Sequence, residues 1–402
     1  MRAEVGEGVA MANARIINPD LSFIAEVKRL GGATLKKCYQ CATCSIVCNL
    51  APENGPFPRK EMLLAQWGQK DKLVRDADIW LCFQCNDCTV NCPRGARPGD
   101  VLAAIRSYIY EHYSFPGFMG KALSNPKALP ALLIVPVLIL LGCILAFAPT
   151  GPDGRFLFLQ ESRIDFDLFL PHSSVDALFV IGNIMIFIFA AIGFARFWRN
   201  LGPVDRPREH SFFSALWVTL KDIFWHSSFF KCEANRSRSW GHILMLGGFV
   251  AAMITTGCIF VFVFIPHYLE LLGLQQFEAF FALPVDLPNP VKFIGMVGGL
   301  GLMIGGGMLI IRRWANKDNV GANGYTDYLF LYIIFLAGFT GMLSWLTRLS
   351  GIPMLAYVSY FIHLVTVFFL LWYMPYSKFA HMIYRTLALV HSRMIGREAR
   401  AA

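Results

Sequence analysis

The pattern of apolar and polar residues divides the chain at about residue 125. Before that point the stretches "RKEMLLAQWG" and "VLAAIRSYIYEHY" read as short helices of a water-facing domain. After it, six apolar stretches each reach the ~20 residues that a helix needs to cross a hydrocarbon core. The pattern therefore predicts an N-terminal domain over 1–125 and a membrane domain over 126–402, with spans at 128–148, 176–198, 240–265, 291–311, 325–347 and 352–376.

Composition supports a membrane protein of mainly α class. Of the 402 residues 55% are hydrophobic and 16% are charged, and the mean hydropathy is +0.49. The fourth predicted span contains "GMVGGLGLMIGGGM", whose small residues predict close packing of helices in lipid. The stretch 212–231 mixes apolar residues with Lys221 and Asp222, which predicts a helix lying along the membrane surface.

The distribution of basic residues predicts the orientation of the spans. Lys and Arg are frequent in 199–239, in the segment after the fourth span and in the C-terminal tail, whereas 266–290 contains neither. Basic loops remain on the cytoplasmic side. The N-terminal domain and the C-terminus are thus predicted on the cytoplasmic side of the inner membrane. The net charge of +9 is explained as an orientation signal, so no nucleic acid partner is expected.

Eight of the eleven cysteines lie in two copies of the spacing C-x2-C-x2-C-x3-C, with Pro93 following the second copy. This spacing is typical of cubane [4Fe-4S] ligation, in which three cysteines bind one cluster and the fourth binds the other. The expected ligands of the first cluster are Cys38, Cys41, Cys44 and Cys92. Those of the second are Cys82, Cys85, Cys88 and Cys48.

Two other interpretations of the cysteines fit less well. A zinc site needs pairs of C-x2-C without the third cysteine. Disulfides need an oxidising compartment, and the first 30 residues carry eight charged side chains and no apolar signal region. The two motifs therefore indicate one-electron carriers in a reducing compartment.

Three histidines in the membrane half are candidate haem ligands. His242 and His381 fall at the same inner depth on different segments, as two axial ligands of one haem must. His363 precedes His381 by 18 residues, about 27 Å along a helix, so it is expected to serve a second haem. His226 in the surface segment is a spare inner ligand, and Met253 and Thr255 are the residues at the depth of His363.

These motifs carry a resemblance to known families. "CYQCATCSIVCN" and "CFQCNDCTVNCPRGARPGDVLAAIR" resemble the iron-sulfur protein of heterodisulfide reductase known as its C component. "HLVTVFFLLWYMPYSKFAH" resembles the final span of the cytochrome b component of that enzyme and of the gamma component of respiratory nitrate reductase. In that family the second ligand of the other haem-bearing span falls where this chain has Ala252, so the outer haem departs from the pattern.

The fusion of both parts resembles the membrane components of quinone-interacting membrane-bound oxidoreductases (Qmo). That resemblance implies two [4Fe-4S] clusters, two b haems and menaquinone as substrate. It implies soluble flavin and iron-sulfur partners related to heterodisulfide reductase A (the Qmo A and B proteins) and a link to adenylylsulfate reductase in sulfate reduction. The alternatives are the membrane anchor of a heterodisulfide reductase-type or other dehydrogenase complex, and a transporter with a redox-sensing domain.

Overall fold

A computed structural model shows an almost entirely helical chain. Among the residues it describes, 75% are helical and there is no β-strand, which confirms the mainly α class. The described residues are 17–52, 55–201, 208–225, 236–271, 273, 285–315 and 324–397.

The N-terminal part consists of short helices and one long one. The long helix begins at Pro98, where the ring fixes a helical backbone angle without removing a needed donor. Its apolar face, with Val101, Ile105 and Ile109, is completely buried under the shorter helices. In chain order these helices are α1 (Leu21–Val27), α2 (Thr43–Ile46), α3 (Arg59–Gln66), α4 (Lys70–Leu73), α5 (Asp78–Leu81), α6 (Asp87–Val90), α7 (Pro98–Tyr113) and α8 (Gly117–Leu123).

The second part contains the six long apolar helices expected from the sequence. They are long and apolar enough to cross a membrane and cover Pro126–Phe147, His172–Asn200, Arg238–Phe264, Pro290–Ala315, Tyr325–Leu349 and Pro353–Trp372. Their large outward side chains are exposed, as expected of surfaces that contact lipid. The helices of this part are α9 (Leu129–Phe147), α10 (Phe166–Phe169), α11 (His172–Asn200), α12 (Phe212–Trp225), α13 (Arg236–Ile259), α14 (Ile265–Leu271), α15 (Pro290–Ala315), α16 (Tyr325–Leu349), α17 (Pro353–Trp372) and α18 (Ala380–Met394).

The sixth span ends earlier than the apolar pattern predicts. Helix α17 stops at Trp372, and a single 3₁₀ turn, Met374–Tyr376, follows it. Pro375 in this turn explains the break, because proline offers no backbone N–H to continue the helix. His363 and His381 therefore lie on two different helices, and the distance of one continuous helix does not apply to them.

Glycines bring two membrane helices into backbone contact. A Cβ added at Gly248 of α13 would lie 2.6 Å from the backbone nitrogen of Leu302, and one at Gly305 of α15 would lie 2.5 Å from that of Met245. At these two positions only the hydrogen atom of glycine fits, so the backbones of α13 and α15 are in direct contact. The close packing predicted from the glycine-rich fourth span is confirmed.

Helix α18 joins the two parts of the molecule. Its Ala380, Tyr384 and Ala388 are buried in the same apolar core as Trp80 of the N-terminal part and Phe197 of α11. On its other side Arg393 pairs with Asp222 of α12 and donates to the hydroxyl of Thr219 at 2.7 Å. Helix α12 is thereby held against α18 while Phe213, Trp217, Phe224 and Trp225 remain exposed, an arrangement that suits a helix at a membrane surface.

Candidate electron-transfer site

The two cysteine motifs fold into loops of the same shape. In each loop the residue before the second cysteine and the residue after it have positive φ: Gln40 (60°) and Ala42 (68°) in the first, Gln84 (56°) and Asn86 (78°) in the second. Such angles are unfavourable for residues other than glycine and persist where function requires them. They turn the backbone around a common centre, and a short helix, α2 or α6, follows each turn.

Several donors point at the cysteine sulfurs. The backbone N–H of Gln84 donates to Cys82 Sγ and that of Ala96 to Cys92 Sγ, each at 3.4 Å. The side-chain amide of Gln40 donates to Cys38 Sγ, also at 3.4 Å. Hydrogen bonds to sulfur stabilise the thiolate form that iron binds and tune the potential of a cluster.

The fourth cysteine of each motif is electrostatically connected to the other motif. Burial raises the pKa of Cys38, and the charges of Cys92 and Cys41 raise it further. Burial likewise raises the pKa of Cys48 to about 11, and the largest contribution from another cysteine comes from Cys82 of the other motif. These effects are compatible with crossed ligation. The ligand assignment itself stays a prediction.

The two loops differ in their surroundings. Of the eight motif cysteines, all within the described residues, Cys41 is the exposed one, while Cys44 and Cys88 are buried. In the second loop the carbonyl oxygen of Gln84 accepts a long hydrogen bond of 3.5 Å from Arg238 of α13, and the ring of Phe83 lies 5.4 Å from the guanidinium of Arg385 of α18. The second loop thus contacts the helices of the second part of the chain, and the first loop carries the exposed cysteine.

His381 is held directly against the N-terminal part. Its Nδ1 lies 2.8 Å from the phenol oxygen of Tyr110 on α7. The ring of Trp80, a side chain with no exposed surface, lies 5.7 Å from the imidazole and 5.6 Å from the ring of Tyr384. Because Trp80 precedes Cys82 by two residues, one buried aromatic side chain lies between the second cysteine loop and His381.

The charge of His242 acts on His381. Burial lowers the pKa of the His381 imidazole, and after the effects of Arg385, Arg106 and Lys378 the charge of His242 lowers it further. His242 of α13 and His381 of α18 are therefore within electrostatic reach of each other, and their pairing as haem ligands stays a prediction. His226 lies outside the described residues.

Basic side chains surround this histidine pair. Burial lowers the pKa of Lys378, and the charges of Arg313, Arg238 and Arg106 lower it further. Lys378 pairs with Asp327, and Arg106 donates to Ile79 O at 2.9 Å and to the side chain of Gln84. The group, called here the basic layer, comprises Arg106, Arg238, Arg313, Lys378 and Arg385, whose charges act on one another or on His381.

Two buried donors of this region have no hydrogen-bond partner among the described residues. They are the indole nitrogen of Trp80 and one terminal nitrogen, Nη1, of Arg313. Buried polar groups are normally satisfied, so an orphaned donor calls for an acceptor beyond those that the described residues supply. Together with the basic layer, these donors favour an anionic acceptor.

His363 has a different environment. The hydroxyl of Thr340 donates to Leu336 O at 2.7 Å, so its oxygen accepts the hydrogen bond of 3.0 Å from His363 Nδ1. A hydroxyl has one proton to donate, which leaves Nε2 of His363 with a free lone pair. Of the candidate partners at its depth, Met253 is 59% exposed and Thr255 donates within α13 to Ala251, so neither faces His363 as a second ligand.

Sequence patterns did not reveal three parts of this site. Trp80 and Tyr110 look like ordinary core aromatics, and the basic layer is scattered over five segments of the chain. The positive φ angles of Gln40 and Gln84 also cannot be predicted from residue type, because glutamine is not typical of turns. The one hint is that both motifs place glutamine directly before the second cysteine.

Comparison with known proteins accounts for the N-terminal part. The sequence model described as 4Fe-4S dicluster domain matches residues 34–96. A protein of Archaeoglobus profundus that is itself similar to heterodisulfide reductase C is 37% identical over 93 residues, 23% of this chain and 50% of the relative. The C component of the H(2):CoB-CoM heterodisulfide,ferredoxin reductase of Methanothermobacter marburgensis is 32% identical over 105 residues, 26% of this chain and 55% of the relative. This confirms the resemblance to heterodisulfide reductase C, although the chain spans about half the length of these relatives.

Two further matches include the second part of the chain. Citrate utilization protein B of Escherichia coli is 27% identical over 396 residues, 91% of each chain. No solved structure gives a significant match. The finer resemblance to the membrane components of Qmo stays a prediction. The family model described as Citrate utilization protein B matches residues 124–402, more than half of the chain, and the protein belongs to that family.

Proposed function

We propose that this protein is the membrane component of an electron-transfer complex that exchanges electrons between a soluble flavin-containing partner and membrane menaquinone. Two [4Fe-4S] clusters and b-type haem would carry the electrons within the chain. The observation that carries the proposal is the juxtaposition of the second cysteine loop, Trp80 and His381, with His242 within electrostatic reach of His381. Candidate ligands of two kinds of one-electron carrier thus lie on either side of one buried ring.

The residues fit two clusters. Two loops of equal backbone shape each offer three thiols, and the charges of Cys92 and Cys82 act on Cys38 and Cys48 of the first motif, which supports crossed ligation. Burial raises the pKa of Cys44 to about 11 and that of Cys85 to about 12, so the metal-free thiols hold their protons and iron binding displaces them. Bound clusters would supply one-electron steps without making or breaking bonds.

The residues also fit an inner haem. A haem brings an iron that changes by one electron and two propionate carboxylates. His242 and His381 would bind the iron, and Tyr110 orients His381 by holding its Nδ1. The basic layer and the orphaned donors of Trp80 and Arg313 offer counter-charges and hydrogen bonds for the carboxylates. Without such an anion this buried excess of positive charge is costly.

An outer haem has less support. His363 offers a free Nε2 in the middle of the last span, but the candidate partners Met253 and Thr255 do not face it. We propose His363 as a ligand of the second haem, with its opposite ligand unassigned. Quinone contacts are likewise unassigned, because quinone sites have mostly apolar walls and few polar groups.

The soluble partner is proposed in two forms. The match to heterodisulfide reductase C supports soluble partners related to heterodisulfide reductase A, such as the Qmo A and B proteins. The link to adenylylsulfate reductase rests on the Qmo resemblance alone. The relative that matches over 91% of both chains is named for citrate utilization. That name suits the alternative of another dehydrogenase complex, with a carboxylic acid as its substrate. We favour the dehydrogenase, because that likeness covers 91% of both chains. In either case the N-terminal domain is proposed on the cytoplasmic side of the inner membrane.

Cofactor analysis of the purified full-length protein tests the proposal. We expect about eight non-haem irons with matching sulfide, together with b haem in the dithionite-reduced minus oxidised spectrum. Added menaquinol should reduce part of the haem. His381→Ala should lose the inner haem and keep the iron and sulfide, whereas His172→Ala, at the opposite end of the membrane part, should keep both. Protein with clusters and no haem would overturn the haem and quinone pathway and leave a cluster-bearing anchor.

A further inference from the structure

One face of the N-terminal part combines an exposed candidate cluster ligand with exposed apolar side chains. Cys41 is exposed, and around it Tyr39 is 68% exposed, Ile46 83% and Val90 73%. Ile46 and Val90 occupy the same place in the two motifs, two residues after the third cysteine, and their helices α2 and α6 pack against each other. This set, together with Arg94, is called here the Cys41 face.

Large apolar side chains in water are costly, and clusters of them mark interaction surfaces. The fold does not require them here, because the N-terminal core is closed by other residues such as Leu35, Met62 and Ile105, which have no exposed surface. Tyr39 is fixed by the guanidinium of Arg94, 4.1 Å from the centre of its ring. An aromatic ring that is fixed in place beside an exposed candidate cluster ligand is well suited to contact a partner protein.

The charge around the Cys41 face is mainly positive. The segments 36–52 and 91–99 contain no Asp or Glu and carry Lys36, Lys37 and Arg94, while Asp87 on the helix of Val90 is the acidic neighbour. Arg59 is also near, since its charge lowers the pKa of Cys41, after the main effect of the Thr43 hydrogen bond. A basic surface of this kind attracts an acidic partner and speeds its association.

The position of the second loop indicates which of the two clusters would lie nearer the membrane. That loop contacts Arg238 of α13 and Arg385 of α18, so its cluster would be the one nearer the membrane. The first loop carries Cys41, the exposed cysteine of the eight motif cysteines. A soluble protein therefore reaches the cluster of Cys41 first.

We propose that Tyr39, Ile46, Val90 and Arg94 form the docking surface for a soluble flavoprotein with an acidic rim and an apolar centre, which exchanges single electrons with the cluster of Cys41. The proposal rests on the proposed function and adds the place and chemistry of the contact. In the transfer, the reduced flavin is oxidised by one electron and the cluster is reduced by one. No bond is formed or broken.

A stopped-flow experiment tests the docking surface. The probe is reduced flavodoxin, an acidic soluble flavoprotein, mixed with the oxidised full-length protein in detergent while cluster absorbance is followed. We expect Ile46→Asp, Val90→Asp and Arg94→Glu each to lower the second-order rate constant about tenfold, and added salt to lower the wild-type rate. Reduction by dithionite, which needs no docking, should keep its wild-type rate in all three variants.

Two matched controls complete the experiment. Leu21→Asp places an acid on an equally exposed apolar position of α1, and Lys121→Glu reverses an exposed charge on α8. Wild-type flavodoxin rates in the three test variants, or equal losses in the controls, would overturn the docking surface. Failure of the proposed function would give a different result. The clusters would accept electrons from flavodoxin at the normal rate, but no electrons would pass to or from menaquinone.

Discussion

The phenol oxygen of Tyr110 lies 2.8 Å from Nδ1 of His381. Tyr110 belongs to the long helix of the N-terminal part and His381 to the first turn of α18, 271 positions later. If Nε2 of His381 binds iron, Nδ1 carries the proton and donates it to the tyrosine oxygen. One hydrogen bond then connects the cluster-bearing part to an axial ligand of the membrane part.

The variant Tyr110→Phe removes this hydrogen bond and keeps the ring. A hydrogen bond donated by Nδ1 makes the imidazole a stronger base and favours ferric iron, so its loss should raise the midpoint potential of the haem. A bond worth about 1 kcal/mol corresponds to about 40 mV for a one-electron couple. A redox titration followed at the haem absorbance measures this shift.

Tyr108→Phe is the control, since Tyr108 lies on the same helix and its ring packs on Phe23 and His112 instead. It should leave the haem potential unchanged. Equal potentials in Tyr110→Phe and wild type would mean that His381 does not ligate through Nε2.

Double variants of cysteine test the crossed ligation. If Cys92 completes the first cluster, Cys38→Ser and Cys92→Ser damage the same cluster, and the double variant keeps the other with about four irons. Cys38→Ser combined with Cys48→Ser should lose both clusters. Iron and sulfide analysis with EPR of the reduced protein distinguishes these outcomes. Cys143→Ser, in the first membrane helix, should keep all the iron, and an exchange of the two double-variant results would show that each motif binds its own cluster.

The sequence predicted those parts of the molecule that depend on local spacing. The cysteine motifs and the six apolar spans are each contained in one segment, so their periodicity is visible without the fold. The early end of the sixth span at Trp372 was missed, since apolar residues continue through Met374–Tyr376 and only Pro375 indicates a break. Contacts of Trp80 and Tyr110 with His381 join segments hundreds of residues apart, and no local pattern encodes them.

The basic layer should raise the potential of the inner haem. A positive charge near the iron favours the ferrous form, which carries one positive charge fewer. Arg385 is one helical turn after His381, so Arg385→Leu should lower the haem midpoint potential. At an effective permittivity of about 20 the effect is on the order of 1 to 2 kcal/mol, which corresponds to about 40 to 90 mV.

Redox titration of the purified variant measures the shift. Arg155→Leu removes a charge from a side chain that is 80% exposed in the segment after the first span, and it should leave the potential unchanged. A higher potential in Arg385→Leu would mean that the arginine acts through its contact with Phe83 rather than through its charge.

A buried carboxyl group makes the stability of the N-terminal part depend on pH. Glu61 has no exposed surface, and Lys60 Nζ lies 3.1 Å from it and 3.0 Å from Asp76. Burial, and after it the charge of Asp76, raises the pKa of Glu61 from its ordinary 4.5 to about 8. Because the folded state binds this proton more tightly, the contribution of Glu61 to stability is full below about pH 4.5 and is lost as the pH rises to about 8.

Glu61→Gln replaces the group by a neutral one and should remove this part of the pH dependence. At pH 8.5 the variant should unfold at an apparent Tm a few degrees above that of wild type, and at pH 5 the difference should nearly vanish. Thermal unfolding followed by circular dichroism at both pH values measures it, with Asp71→Asn as an exposed control. A lower Tm for Glu61→Gln at pH 8.5 would mean that the attraction between ionised Glu61 and Lys60 exceeds the cost of burying the charge.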